Sequence, residues 1–206
     1  MRAHLRAGVA VYNAGRYHAA HDAWEQRWLA AEEGDDERLL HGLIQFTAAV
    51  HHARGRNWSG AVGLCESGRE YLAALPDDYR GIDVATVREY LAALEADPER
   101  VERARPPALT HEGDALALAD LDFEATAVAA GVLAEALGYD EAVIERATEY
   151  ARADLGRGED GSRFVTFLFD FVRDQANRAV VAQRLSEHVD RRRHREADVD
   201  GLFEER

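Results

Sequence analysis

The sequence predicts an all-α fold, a compact multi-helix bundle of antiparallel helix pairs. Apolar residues recur at spacings of three and four through most of the chain, which is the period of a helix with one buried face. Glycine or proline ends most of these segments. Only one short segment alternates apolar and polar residues as a strand would. The longest apolar stretch, around 164–172, falls well short of the roughly 20 residues that a membrane span requires.

Five helices with short connections are predicted in the first half of the chain. In the third, Leu39, Leu43, Phe46 and Val50 fall on one face. Asn57 or Ser59 is expected to cap the fourth helix and Asp83 the fifth, because their side chains can accept hydrogen bonds from first-turn N–H groups. The predicted ranges are 2–13, 17–31, 36–53, 58–75 and 83–94.

The composition changes near residue 96, where three prolines and a run of charges predict a linker over 96–107. A short β-hairpin is expected near 108–118, followed by helices over 123–137 and 141–155, the second capped by Asp140. Ser162 is expected to cap a last helix, whose core face is an aromatic stripe: Phe164, Phe167, Leu168, Phe171, Val172. The chain therefore divides into a helical bundle over 1–95 and a helical C-terminal extension over 108–206, packed on the first domain.

The net negative charge of the chain limits the classes of partner that it is expected to bind. Acidic residues outnumber basic ones by 39 to 25, all 25 basic residues are arginine, and the formal charge is −14. This acidic excess predicts a halophilic protein, although GC-rich coding also favours arginine over lysine. It argues against nucleic acid as a partner, and the basic run at 191–195 is interpreted as a solvated helix end.

Other sequence features set broader expectations. No signal peptide or membrane segment is recognised, so the protein is expected to be cytoplasmic and not membrane-bound. The single cysteine, Cys65, lies in an apolar helical context and is expected to be a core residue. A homodimer is the base-rate expectation for a soluble protein, and a small ligand or a protein partner remains to be identified.

Candidate functional residues concentrate on the second and third helices. At 100° per residue, His21 lies on one face of the second helix with Trp24 and Trp28, and the i, i+4 pair His21 and Glu25 can meet. The third helix has a polar stripe opposite its apolar face: His41, Gln45, Ala48, His52. The two helices are therefore expected to present imidazole and carboxylate groups to each other in a buried cluster.

Three interpretations of this cluster stay open. A buried His–Glu hydrogen bond could fix helix packing. His21, Glu25 and His52 could hold a divalent transition metal, since three such ligands with an open position make a catalytic site. The cluster could instead line a pocket for an organic ligand. Under the metal or ligand hypotheses, Glu25 or Asp22 would act as base in a hydrolytic reaction. His51 and His111 are expected to be exposed, without a role.

At these residues the chain resembles the "domain of unknown function" family 309. The resemblance rests on Tyr-Asn-Ala-Gly-Arg-Tyr-His-Ala-Ala-His-Asp-Ala-Trp-Glu-Gln-Arg-Trp at 12–28, Gly-Leu-Ile-Gln at 42–45, His52, and Arg-Asn-Trp-Ser-Gly-Ala at 56–61. The family's pattern runs approximately Phe-Asn-x-Gly-x-Tyr-x-x-x-His-Glu-x-x-Glu-x-x-Trp, then Gly-Leu-Ile-Gln, then His and Gly-Asn-x-x-Gly-Ala. The chain departs from it at Tyr12 for Phe and Asp22 for Glu, and the shorter Asp22 reaches about one methylene less.

The resemblance covers roughly residues 1–95 and implies an all-helical fold without an established activity. It singles out seven residues of this chain: His21, Asp22, Glu25, Trp28, Gln45, His52, Asn57. An alternative interpretation starts from the similar turns near Gly15 and Gly55, about 40 residues apart. These resemble tetratricopeptide-like helical hairpins, which would make the chain a non-enzymatic interaction module in which the motif is structural.

Overall fold

A computed structural model describes residues 1–159 and 161–204, with side chains through residue 198. Within these ranges the chain forms ten α-helices, one 3₁₀ turn at Leu118–Asp120 and two short strands. The helices are α1 Arg2–Asn13, α2 Tyr17–Trp28, α3 Asp35–Arg54, α4 Trp58–Leu72, α5 Val84–Ala96, α6 Arg100–Arg103, α7 Phe123–Leu137, α8 Glu141–Gly156, α9 Arg163–Arg173 and α10 Arg178–Glu204. The strands are β1 Asp78–Tyr79 and β2 Ile82–Asp83. The predicted all-α bundle is thereby confirmed.

The chain forms two compact units, Met1–Val132 and Leu133–Arg206, and the division between them falls inside α7. The segment 96–107, predicted as a linker, lies within the first unit and contains α6, whose Val101 is buried. The domain division made from the sequence stays a prediction.

In the first unit, each of the helices α2 to α5 packs on the one before it. The predicted face of α3 is confirmed, because Leu39, Leu43, Phe46 and Val50 are completely buried. Cys65 of α4 is also completely buried, and burial raises the pKa of its thiol to about 12. At neutral pH this cysteine is therefore a small apolar core residue, as expected, and has no thiolate character.

Glycines allow two of these helix pairs to approach closely. On α1, a Cβ added to Gly8 would lie 2.2 Å from Nε1 of Trp24 on α2. On α3, a Cβ added to Gly42 would lie 2.5 Å from the Leu72 side chain of α4. Both contacts are too short for any side chain at the glycine position, so the helix backbone lies directly against its neighbour.

The helix caps follow the sequence prediction at three positions. Asn57 accepts a hydrogen bond from the N–H of Gly60, Asp83 from that of Thr86, and Asp140 from that of Ala142. Ser162 precedes α9 as expected, but its hydroxyl donates to Asp154 and makes no capping bond to α9.

The hairpin predicted near 108–118 is reduced to one tight turn, in which His111 pairs with Asp114 across Glu112 and Gly113, whose φ values are 56° and 87°. The two-stranded antiparallel sheet lies at 78–83, where Arg80 and Gly81 have φ of 54° and 78°, a pair typical of a two-residue hairpin turn. Strands of two residues carry no alternation that a sequence could reveal. Residues 108–118 contribute only isolated bridges, from His111 to Ile82 and to Asp114. The expectation that His111 is exposed is wrong, because this bridge buries the ring to 1% exposure.

In the second unit, α8, α9 and α10 pack on one another. The aromatic stripe of α9 is buried at Phe164, Leu168, Phe171 and Val172, while Phe167 is half-buried. The single last helix predicted from the sequence is two helices. The carboxylate of Asp174 accepts hydrogen bonds from the backbone and side-chain amides of Asn177, and this turn separates α9 from α10. Across the described residues, no helix combines the length and apolar character needed to span a bilayer.

Replacing Gly8 by alanine is expected to destabilise the first unit by about 1–3 kcal/mol, because the added methyl overlaps the buried indole of Trp24. The matched control is Gly63→Ala on α4, where an added Cβ meets nothing within 4 Å. This control should gain up to about 1 kcal/mol from helix propensity. Urea unfolding followed by circular dichroism measures both. Equal stability of the two variants would contradict the close packing of α1 on α2.

Candidate functional site

The polar side chains of α2 lie at the edge of the buried face of that helix. The buried face consists of Ala19, Ala20, Ala23 and Trp24. The side chains of His21, Asp22 and Glu25 keep 22%, 19% and 43% of their surface exposed. The expected buried cluster is therefore only partly buried, because small alanines and one tryptophan take the fully buried positions of α2.

His21 lies between two carboxylates of the same helix. Its Nδ1 is 2.8 Å from Oδ1 of Asp22, and its Nε2 is 3.9 Å from Oε1 of Glu25. One potential ligand atom from each of the three residues falls within 4.8 Å of the others. The i, i+4 pairing of His21 with Glu25 follows from helix periodicity, and Asp22 adds a hydrogen bond to the other ring nitrogen.

A row of histidines continues from this group onto α3. The ring centroids of His21 and His18 lie 5.8 Å apart, those of His18 and His51 5.1 Å, and those of His51 and His52 6.1 Å. His18 and His51 are exposed, so α2 and α3 present imidazoles to solvent along this histidine row. The two helices thus bring imidazoles together at the surface of the protein, through His18 and His51 and not through the expected His21 and His52.

The pKa of His51 lies below its ordinary value. Partial burial of the ring is the main cause, and repulsion from His18 and His52 lowers the pKa further. A lowered pKa means that the unfolded chain takes up a proton at His51 more readily than the folded chain. Folding stability must therefore fall as the pH falls through the range below about 6.5.

His52 and Asn57 link the end of α3 to the start of α4. The Asn57 side-chain amide donates to Nδ1 of His52 at 2.7 Å, while its carbonyl caps α4 through Gly60. A Cβ at Gly60 would lie 2.6 Å from the Asn57 amide, so only glycine fits there. The tautomer of His52 that accepts this bond at Nδ1 carries its proton on Nε2. These contacts favour a structural role for both residues.

Trp28 belongs to a separate cluster that joins α2, α3 and α4. Its indole N–H donates to Glu37 at 2.8 Å, and its ring lies 4.7 Å from that of His41. His41 in turn stacks on Tyr71 at 3.8 Å. Sequence reasoning missed Glu37 and Tyr71 as members of this cluster. The i, i+4 spacing of Glu37 and His41 could have indicated the first, whereas no local pattern indicates the second.

Gln45 lies where α3 crosses α4. A Cβ at Gly68 of α4 would come within 3.2 Å of the Gln45 Cβ. The seven residues singled out from the sequence therefore separate into three places: the group His21, Asp22 and Glu25, the cap formed by His52 and Asn57, and the helix contacts of Trp28 and Gln45.

Comparison with known proteins supports the resemblance seen in the sequence. Residues 5–64 match the model of a family described as Domain of unknown function (DUF309). An uncharacterized protein of Aquifex aeolicus (strain VF5) is 25% identical over 87 residues, which make up 42% of this chain. The match spans only 26% of that protein's length. The matched family segment contains most of α1, all of α2 and α3 and the first part of α4, and with them the site on α2.

The backbone conformation of Arg56 is expected to destabilise the folded protein. Its φ is 58°, in the left-handed region that favours glycine. Arg56→Gly should therefore be more stable than Arg56→Ala by about 1 kcal/mol. Both variants lose the exposed ion pair with Glu102, so their difference in urea unfolding isolates the backbone term. Equal stabilities would contradict this assignment.

The imidazole of His51 is expected to titrate below pH 6.5 in NMR, and His18→Gln should raise that pKa because one repelling neighbour is removed. The matched control is His41→Gln, which replaces a histidine stacked on Tyr71 outside the row. It should leave the titration of His51 unchanged. A His51 titration unaffected by His18→Gln would contradict the proximity of the two rings.

Proposed function

We propose that the first unit binds a divalent transition metal ion at the half-exposed edge of α2. Nε2 of His21 and the carboxylate of Glu25 are the protein ligands, and Asp22 orients the imidazole. The observation that carries the proposal is the position of the His21 ring between the two carboxylates, 2.8 Å from one and 3.9 Å from the other.

The hydrogen bond to Asp22 prepares His21 for metal binding. A carboxylate that accepts from Nδ1–H fixes the tautomer in which Nε2 carries the lone pair, and it makes that nitrogen more basic. Nε2 is the atom that faces Glu25. Histidine ligands in metalloproteins commonly have such a carboxylate behind them.

The separation of the two ligand atoms suits a shared ion. Metal–ligand lengths of about 2.0–2.2 Å place two ligands of a tetrahedral zinc ion about 3.4 Å apart. Nε2 of His21 and Oε1 of Glu25 are 3.9 Å apart, and a small rotation of the exposed Glu25 side chain closes the difference. One imidazole and one carboxylate favour zinc, cobalt or nickel over calcium or magnesium.

The exposure of the site supports a catalytic use of the metal. Two protein ligands leave coordination positions for water and for a substrate, and an ion in such a site lowers the pKa of its water and polarises a carbonyl or phosphoryl oxygen. Asp22 contacts the ring at Nδ1, 2.8 Å away, so it holds the imidazole at the nitrogen that does not face Glu25. We infer a hydrolytic reaction on a small substrate, with His21 and Glu25 holding the ion and Asp22 as the base or orienting residue.

Isothermal titration of chelator-treated protein with Zn²⁺ and Co²⁺ is expected to show one site per chain. His21→Gln and Glu25→Gln should each weaken binding at least tenfold, since each removes one of two ligands. Asp22→Asn should weaken it about tenfold, because loss of an orienting partner typically costs 10–100-fold in affinity. His51→Gln is the matched control, as it removes a histidine of the same row from outside the three-residue group.

Each outcome of this titration decides the proposal. Saturable binding lost in His21→Gln and kept in His51→Gln supports it, and hydrolase screens with the metal-loaded protein follow. An absence of saturable binding, or equal weakening by His51→Gln, overturns it. The motif would then act in helix packing alone, and the non-enzymatic interaction module would become the leading hypothesis.

A further inference from the structure

A cleft in the second unit gathers basic side chains from the loop before α9, from the first residue of α9 and from α10. Its basic residues are Arg157, Arg163, His188, Arg191, Arg192 and Arg195. The acidic side chains among the described residues of its lining are Asp154, Glu159 and Glu196. Three members of the basic run 191–195 line the cleft, although the sequence predicted a solvated helix end there.

Two of these arginines neutralise the acidic side chains. Arg192 contacts Asp154 at 2.6 Å and Glu196 at 3.1 Å, and its guanidinium lies over the Tyr150 ring. Arg157 contacts Glu159 at 2.9 Å and also pairs with Asp154. The carboxylate of Asp154 is 6% exposed and accepts a further hydrogen bond from Ser162. Each carboxylate of the cleft named here therefore has an arginine partner.

The other three arginines have no carboxylate partner among the described residues. Arg195 contacts a backbone carbonyl. The guanidinium of Arg163 lies 3.4 Å from Nε2 of His188, and the guanidinium of Arg191 lies 2.7 Å from Nδ1 of the same ring. A guanidinium has only donors, so an imidazole can receive it only at an unprotonated nitrogen.

The contacts of His188 conflict with one another. Its Nδ1 is 2.9 Å from the carbonyl of Arg184, to which it can donate, and 2.7 Å from the guanidinium of Arg191, from which it must accept. One nitrogen cannot do both. The cations around His188 therefore lack an acceptor that a bound anion would provide.

We propose that this cleft binds a small molecule carrying a phosphate group, held by Arg163, Arg191 and Arg195. Planar guanidinium groups bind phosphate oxygens through paired hydrogen bonds, and three of them match a dianion better than a single carboxylate. A concave site suits a compact ligand, whereas the net charge of −14 repels a long polyanion such as a nucleic acid. Arg192, held by Asp154 and Glu196, forms the fixed wall of the site.

The test is calorimetric titration with inorganic pyrophosphate, in metal-free protein and at the lowest salt concentration that keeps the chain folded by circular dichroism. We expect saturable binding with one pyrophosphate per chain. Arg163→Gln and Arg191→Gln should each weaken it about tenfold, the loss expected for one charge-assisted hydrogen-bonded contact. Arg193→Gln is the matched control, because Arg193 is an exposed member of the same run outside the cleft. It should change the affinity by about twofold or less.

The outcomes separate this site from diffuse attraction and from the site on α2. If Arg193→Gln weakens pyrophosphate binding as much as Arg163→Gln does, the binding is general electrostatic attraction and the proposal is overturned. The absence of saturable binding would also overturn it. The titration is repeated with His21→Gln, which should leave it unchanged. Loss of pyrophosphate binding in His21→Gln would place the anion elsewhere and also overturn the proposal. Arg163 and Arg191 are exposed, so their replacement should preserve the fold.

Discussion

The first unit depends on contacts in which the backbone of one helix lies directly against a large side chain of the next. Gly8 on Trp24 is the tightest of them, and the indole is completely buried there with its N–H unpaired. An unpaired buried donor costs about 1–3 kcal/mol, a loss offset by burial of the large ring.

Because Trp24 must face inward, the rotation of α2 about its axis is fixed. At 100° per residue, His21 and Glu25 then lie about 60° and 100° from Trp24 on the same side, which is the edge of the packed face.

The residues of the motif have different structural roles. Asn57 caps α4 and orients His52, and Gly60 leaves room for that cap. The Asn57 side chain and Nδ1 of His52 are engaged in the connection between two helices. His21 differs because its partners are carboxylates at a half-exposed edge, where an ion or a substrate can reach them. The sequence motif alone therefore does not separate residues that connect helices from residues that solvent can reach, whereas the surroundings of each side chain do.

The sequence predicted what depends on local periodicity and local caps. The apolar face of α3 from Leu39 to Val50 and the caps at Asp83 and Asp140 are examples, since each is determined within a few residues. Burial of His111 was missed because it results from pairing with Ile82, far away in the sequence. The pairing of His21 with Glu25 followed from helix geometry, but its exposure did not, because exposure depends on which residues of α1 and α3 cover α2.

The second unit shows how an acidic chain can still present a cationic site. Burial acts to raise the pKa of Asp154, but hydrogen bonds from Ser162 and Arg192 outweigh it and hold the pKa below its ordinary value. Asp154 therefore stays ionised at neutral pH and keeps Arg157 and Arg192 beside it. The buried carboxylate attracts cations into the cleft, yet it has too few oxygen atoms to satisfy all the arginines that line it. A few acidic groups therefore hold more arginines nearby than they can neutralise. The net charge of the whole chain does not reveal this local positive charge.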